Sequence, residues 1–341
     1  MTKQQKQKRI TILDVARDAD VSFAAVSKVV RNAYGVSDAL RTKVNASIEK
    51  LGYTPNTAAR AMRGRTFVIG VIFPDMRNPF FADILAGISA ALERTSYQSV
   101  QGIARHSTEA SLIQSMIDMQ MDGLILVGST ASADFLSTIG QKKPLVAIGH
   151  HLPDIKGFDT VNNDDEISGR LVVGHLVAQG YRKILMLSLD TENGTVIERR
   201  EAGYRAEMEN AGLHDEIRVV RVSQSLREIQ VAAKAILGSP DRPDAIFCWT
   251  DFVALEVISV AQNAGLAIPS DLAIVGHDNT IYCDFRQNSL TSIDQSGEQL
   301  GLQAARLLIE RIEGRQKTEH FTVHPRLVGR RSSAVASKSH E

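Results

Sequence analysis

Between Ser22 and Lys28 the sequence places side chains suited to the edge of a nucleic acid duplex on one short helix. Ser22 can cap that helix, and its hydroxyl together with the first free N–H groups can hold a phosphate oxygen. At helical spacing Phe23, Ala24, Ser27 and Lys28 fall opposite Val26, Val29 and Val30. An exposed face that begins at a helix N-terminus is suited to the major groove. The plainer alternatives are packing of Phe23 within its own domain and a phosphate contact for Lys28. Farther along, Arg60, Arg63 and Arg65 follow Pro55 in a run too short to be a stable helix alone, and they can neutralise phosphates.

The charge distribution agrees with that chemistry. The 341 residues sum to zero formal charge, but residues 1–65 carry 13 Lys and Arg against 5 Asp and Glu, and the other 276 carry 26 against 34. A basic end on an acidic body fits a polyanion-binding head on a carrier that avoids polyanions. Aromatics are 5%, which disfavours a binder that works by base stacking. With 43% hydrophobic and 23% charged residues the chain reads as globular, long enough for two or three domains. Cys248 and Cys283 lack metal-ligand spacing, so neither a zinc site nor a disulfide framework is expected, and no cofactor is called for. MTKQQKQKRI has no apolar leader and no 18-residue apolar run follows, so the expected place is the cytoplasm, without a membrane. No HExxH, GxxxxGK[ST] or Ser-His-Asp order appears, and an enzyme is not expected.

The elements that must position these residues change character along the chain. Thr11 can cap a helix with Ile12, Val15, Ala16 and Ala19 inward; Asp20-Val21-Ser22 interrupts it, and the Ser22 helix follows. A third helix from about Ser37 buries Leu40, Val44, Ile48 and Leu51 and stops at Gly52. From Phe67, β-branched runs at 68–73, 100–103, 123–127, 145–148, 184–187, 218–222, 245–248 and 273–275 alternate with helical stretches such as 81–95, 167–179, 253–264 and 300–313. That alternation predicts parallel sheets covered by helices on both faces, in two lobes rather than one sheet.

At this point the chain resembles a known family. TILDVARDADVSFAAVSKVV is similar to the head of the lactose-repressor/galactose-repressor family, matching at Thr11, Asp14, Val15, Ala16, Ala19, Val21, Ser22, Val26, Ser27, Lys28 and Val29. Asp20 stands where the family often has Gly, and Ala25 replaces Thr. The pieces IGVIFPDMRNPFFADILAGI, MDGLILVG, RPDAIFCWTDFVALEVI and IPSDLAIVGHDN resemble the rest of the family's chain. The resemblance implies an all-α helix-turn-helix head over 1–53 and a hinge helix and linker over 54–65. It also implies an α/β core over 66–331 of the type I periplasmic-binding-protein-like kind, made of two doubly wound parallel-sheet lobes. The first lobe is expected over about 66–162 and 294–322, the second over 163–293 and 323–331, and a polar tail over 332–341.

The function so implied is a dimeric regulator, most often a repressor, that binds palindromic double-stranded operator DNA and is controlled by a small molecule between the lobes. Contacts to DNA would come from Thr11, Ser22, Phe23, Ala24, Ser27 and Lys28, and in the hinge from Asn56, Ala59, Met62 and Arg63, with Met62 wedged into the minor groove. The cleft would draw on Asp75, Asn78, Phe80, Phe81 and His150 from one side. From the other it would draw on Asn163, Arg200, Thr250, Asp251 and Asp278, with Arg200 and Asp278 suited to paired hydroxyls. Asp251 has the alternative of capping the helix that follows it. Departures from the family at His150, Thr250 and His277 leave the effector's identity open among sugars, polyols and nucleosides, and inducer and corepressor modes both stand. A transport binding protein shares the two lobes, but it would carry an export signal in place of the basic head.

Overall fold

A computed structural model describes residues 10–30, 36–53, 65–104, 106–151, 156–190, 194–223 and 225–334. The chain forms two units, Met1–Thr66 and Phe67–Glu341, each with its own core. In the first, α1 (Ile12–Asp18), α2 (Phe23–Val30) and α3 (Asp38–Leu51) close around Val15, Ala16, Ala19, Val26, Val29 and Val44. Each start is fixed locally. The Asp14 carboxylate accepts from the Thr11 N–H at 2.9 Å and its hydroxyl at 2.7 Å, while Ser22 Oγ accepts from the Ala25 N–H at 3.2 Å. Gly52, at φ 61°, ends α3 with Tyr53 N–H returning to the Ile48 carbonyl. An ion pair of 2.7 Å from Lys50 to Asp18 ties the last turn of α3 to α1. The turn after α1 places Asp20 at φ 46°, the left-handed conformation in which glycine is at ease. The expected hinge contacts Asn56, Ala59, Met62 and Arg63 lie outside the described residues.

The second unit holds two six-stranded sheets. One is built from β1 (Val68–Phe73), β2 (Gln98–Ile103), β3 (Gly123–Val127), β4 (Leu145–Ile148), β5 (Asp159–Asn163) and β11 (His320–Val323), in the order β11-β5-β4-β3-β1-β2. The other uses β6 (Ile184–Leu189), β7 (Arg218–Val222), β8 (Ala245–Cys248), β9 (Ala273–His277), β10 (Thr291–Asp294) and β12 (Arg326–Val328), in the order β12-β10-β9-β8-β6-β7. All pairings are parallel except β10 with β12. Central strands such as GLILV and AIFC are buried throughout, as both-face coverage demands.

The covering helices are α4 (Phe80–Leu92), α5 (His106–Asp118), α6 (Ala133–Gly140) and α11 (Gly297–Glu313) on the first sheet, and α7 (Asp165–Ala178), α8 (Thr195–Asn210), α9 (Leu226–Leu237) and α10 (Asp251–Asn263) on the second. Two helix pairs approach to backbone contact, α4 with α11 and α7 with α8. A Cβ on Gly87 would stand 1.9 Å from the Glu298 carbonyl oxygen, and one on Gly203 would stand 2.0 Å from that of Glu166. The chain changes sheet after β5, after β10 and between β11 and β12.

Hydropathy alone does not announce β5. Its sequence is DTVNN, yet all five residues are buried. The polar groups are met by distant partners: Arg315 Nη2 donates to Asp159 at 2.6 Å, Thr160 Oγ1 pairs with His320 Nδ1 at 2.8 Å, and Asn162 exchanges hydrogen bonds with the His150 backbone. Burial of a polar strand is tolerated because Asp159, Thr160 and Asn162 are paired on arrival.

Candidate ligand cleft and DNA-reading face

In each sheet the strand order reverses next to its first strand, between β1 and β3 and between β6 and β8. Segments leaving the carboxyl ends of strands at such a reversal diverge and leave a crevice. A cavity of about 670 Å³ lies there, bounded from both lobes. The first lobe contributes Pro74, Asp75, Arg77 and Asn78 after β1 and Gly128–Thr130 after β3; the second contributes Asp190 after β6 and Trp249 and Thr250 after β8. Phe80, Phe81 and Phe252 add apolar wall. The volume suits a molecule the size of a sugar or nucleoside.

The most organised part of the wall is Arg200. Its guanidinium donates to Asp165 Oδ1 at 2.6 and 3.2 Å and to the Trp249 carbonyl at 2.8 Å, and it lies 4.0 Å over the Trp249 ring. Asp165 receives a second partner from the other lobe, His151 Nε2 at 2.7 Å. Burial alone would raise the Asp165 pKa, but the Arg200 charge and the His151 ring outweigh it and hold the carboxyl below its usual range. Arg200 is thus fixed in place with its indole neighbour, able to present a charged edge without rearranging.

Asp278 forms the opposite corner. It sits at φ 114° just past β9, buried, with Oδ2 accepting from Asn78 Nδ2 at 2.7 Å and Oδ1 from Gln295 Nε2 at 2.6 Å. The Asn78 bond crosses between lobes. Burial and the nearby Asp251 charge push the Asp278 pKa well up, against the pull of Asn78, Arg200 and Gln295. At the mouth, Arg77 grips Asp75 at 2.6 Å, and that hydrogen bond lowers the Asp75 pKa. Asn163, at the end of β5, gives Nδ2 to Ser168 while its Oδ1 is buried without a partner.

Of the residues expected in the cleft, the structure gathers Asp75, Asn78, Phe80, Phe81, Asn163, Arg200, Thr250 and Asp278 on the cavity wall. Phe80 is mostly core, and Phe81 packs on Phe73 with centroids 6.0 Å apart. Two residues are placed elsewhere. The His150 ring turns away from the cavity onto Phe158, 5.7 Å between centroids, so that only Gly149 of that turn reaches the wall. Asp251 points into its own lobe, accepting from Ser292 Oγ at 2.6 Å, Thr280 N at 2.7 Å and Cys283 Sγ at 3.1 Å. It is not the cap either. Thr250 Oγ1 accepts from the Val253 N–H, which leaves Asp251 as the first helical residue. Arg77, Thr195, Asp190, Trp249 and Gln295 were not anticipated. Asp190 and Trp249 carry a legible signal, since each directly follows a buried strand at its carboxyl end, and Trp249 is the chain's one tryptophan.

In the head, Ser22, Ala24 and Lys28 are exposed and Phe23 is half-buried. Ser27 departs from expectation, being 7% exposed. At roughly 100° per residue it falls only about 60° around the helix from Val30, on the flank of the buried stripe. Thr11 is exposed and engaged with Asp14. No group of three or more His, Cys, Asp or Glu is arranged to hold a metal among the described residues, and none of their helices is long and apolar enough to cross a membrane.

A helix-turn-helix head on the same chain as a two-lobed α/β cleft defines a DNA-binding regulator with a periplasmic-binding-protein-like domain. Comparison with known proteins agrees. Residues 11–56 match the bacterial regulatory proteins of the lacI family, and residues 173–333 match a periplasmic binding protein-like domain. The HTH-type transcriptional repressor PurR of Photobacterium profundum is 30% identical over 332 residues, covering 94% of this chain and 98% of that protein. The cellobiose complex of the transcriptional regulator CelR superposes with a TM-score of 0.70 at 25% identity, over 95% of this chain and 100% of that one. The lac repressor dimer bound to operator and the anti-inducer ONPF has the same fold, with a TM-score of 0.81 at 23% identity over 96% and 100%. The chain belongs to the lacI family of bacterial regulatory proteins. It is a DNA-binding transcriptional regulator and not an enzyme.

Proposed function

We propose that this regulator binds a two-fold symmetric operator as a homodimer in the cytoplasm, and that a small polyhydroxy molecule in the interlobe cleft sets its grip on DNA. In this reading residues 1–53 address the major groove through Ser22, Ala24 and Lys28 with Phe23 beside them, residues 54–65 enter the minor groove through Met62, and residues 66–331 sense the ligand. The observation that carries it is the 670 Å³ cavity at both strand-order reversals, where Arg200 is already held over Trp249 and faces a lobe bearing Asn78 and Phe81. An indole beside a fixed guanidinium, amides and a carboxyl is the donor and acceptor set that sugars, polyols and nucleosides require. That the solved structure of CelR is a cellobiose complex supports the sugar class.

The test is a thermal-shift screen of sugars, polyols and nucleosides on the full chain, followed by calorimetric titration of any that raise the melting temperature. At least one is expected to bind with one site per chain and to lose affinity in Arg200→Ala. A ligand bound equally well by Arg200→Ala contradicts the assignment of the cleft.

A further inference from the structure

Thr250 and Asp251 divide the start of α10 between them. Thr250 lies on the cavity wall, while Asp251, 1% exposed, faces the segment that carries Asp278. That segment leaves β9 with two successive residues other than glycine at positive φ, Asp278 at 114° and Asn279 at 53°. A backbone so strained persists only where its surroundings dictate it.

Three consecutive N–H groups show what dictates it. Asp278 N–H donates to the Ile293 carbonyl at 2.9 Å, Asn279 N–H to Ser292 Oγ at 3.0 Å, and Thr280 N–H to Asp251 Oδ2 at 2.7 Å. The Ser292 hydroxyl in turn donates to Asp251 Oδ1 at 2.6 Å, so two of these three bonds lead to one buried carboxyl group. The fold keeps room for that group. Gly276 of β9 does not use the left-handed region, and a Cβ on it would run into Asp251 Oδ1. Asp278, at the near end of the pinned run, stands on the cavity wall with one oxygen on Asn78 of the other lobe and one on Gln295.

We infer that Asp251 is a positioning residue of the effector site: through Ser292 and the Thr280 N–H it fixes the strained turn that sets Asp278 on the cavity wall. It acts from behind the wall and through Asp278. The inference rests on the interlobe cleft being the effector site. A carboxyl group held beforehand in its bonding geometry meets the hydroxyls of a ligand without an ordering cost at the moment of binding.

Replacing Asp251 itself would strand several buried donors at once, so the experiment cuts single links in the full chain. Ser292→Ala removes the link to the Asn279 N–H. Cys283→Ala is the control: it takes a donor at 3.1 Å from the same carboxyl group and leaves the three N–H bonds of the turn in place. Deuterium exchange of the Asn279 and Thr280 amides is followed without ligand, and glucose, cellobiose, ribose, sorbitol and adenosine are titrated calorimetrically as probes. Ser292→Ala is expected to speed the exchange about tenfold or more and to weaken the best-bound probe about tenfold or more, while Cys283→Ala stays within about twofold of the parent in both. Melting curves and DNA binding of each variant report that it is folded. Unchanged exchange in Ser292→Ala overturns the inference. So does unchanged probe affinity, or an equal loss in Cys283→Ala, and these leave the cleft assignment standing. Absence of binding by every probe together with failure of the broader ligand screen overturns both.

Discussion

Replacing Asp165 with Asn tests how the cleft is held. Asp165 is 2% exposed and receives Arg200 at 2.6 Å from its own lobe and His151 at 2.7 Å from the other. The amide has the same size but carries no charge, so the buried Arg200 guanidinium loses its carboxylate and keeps only neutral partners, the amide oxygen, the Trp249 carbonyl and the Trp249 ring. Breaking one side of a buried pair costs about 3–5 kcal/mol, which for a unit of this size corresponds to a melting shift on the order of 10 °C. Urea unfolding followed by Trp249 fluorescence reads this directly, because the chain's single tryptophan stacks on Arg200. The double variant with Arg200→Met should recover part of the loss, since no orphaned charge remains. A pH series adds a sign. The Asp165 pKa is depressed in the folded protein, so its contribution is present above the ordinary carboxylate value of about 3.9 and is lost as pH falls toward the lower folded value. The Asn variant should lack that acid-side loss. A loss under about 1 kcal/mol, or strictly additive single and double variants, refutes the reasoning.

Three further outcomes are expected. Lys28→Ala should weaken operator binding by about 1–3 kcal/mol and relax the base preference at one position if Lys28 reads guanine, or weaken all sequences alike and reduce the salt slope by about 1 if it contacts phosphate; binding titrations at several salt concentrations decide. Asp20→Gly should stabilise the head by about 0.5–1 kcal/mol by relieving the φ of 46°, read by calorimetry, and a destabilised head would show that the Asp20 side chain holds the turn. Burial lowers the pKa of His150, His175 and His277 in the folded chain. The unfolded chain therefore binds more protons as pH drops through about 6.5, and stability should fall between pH 7 and 5. Denaturation midpoints independent of pH across that range would contradict this.

Much of the fold was legible because period and burial agree. Val15, Val26 and Val44 recur at helical spacing and form the head's core, and runs such as GLILV and AIFC read as strands covered on both faces. What escaped did so for tertiary reasons. DTVNN lacks an apolar run, and it becomes a strand only because Arg315, His320 and the His150 backbone satisfy it. At the site, the family resemblance named ten cleft residues, of which eight line the cavity, but side-chain direction was not readable. His150 stands at the right place in the chain and turns its ring onto Phe158, and Asp251 turns toward Ser292 rather than the ligand. Ser27 lies close to Val26 in sequence, and its angle around α2 puts it at the edge of the core rather than on the open face.

The most direct measurement of the account is DNA affinity as a function of cleft occupancy. A palindromic duplex selected from a random pool by the full chain would be titrated by fluorescence anisotropy with and without the effector found by screening. The account predicts a change in affinity of about fivefold or more in one direction, retained at an exposed control substitution and lost in Arg200→Ala. Identical titration curves with the cleft empty and saturated would contradict it.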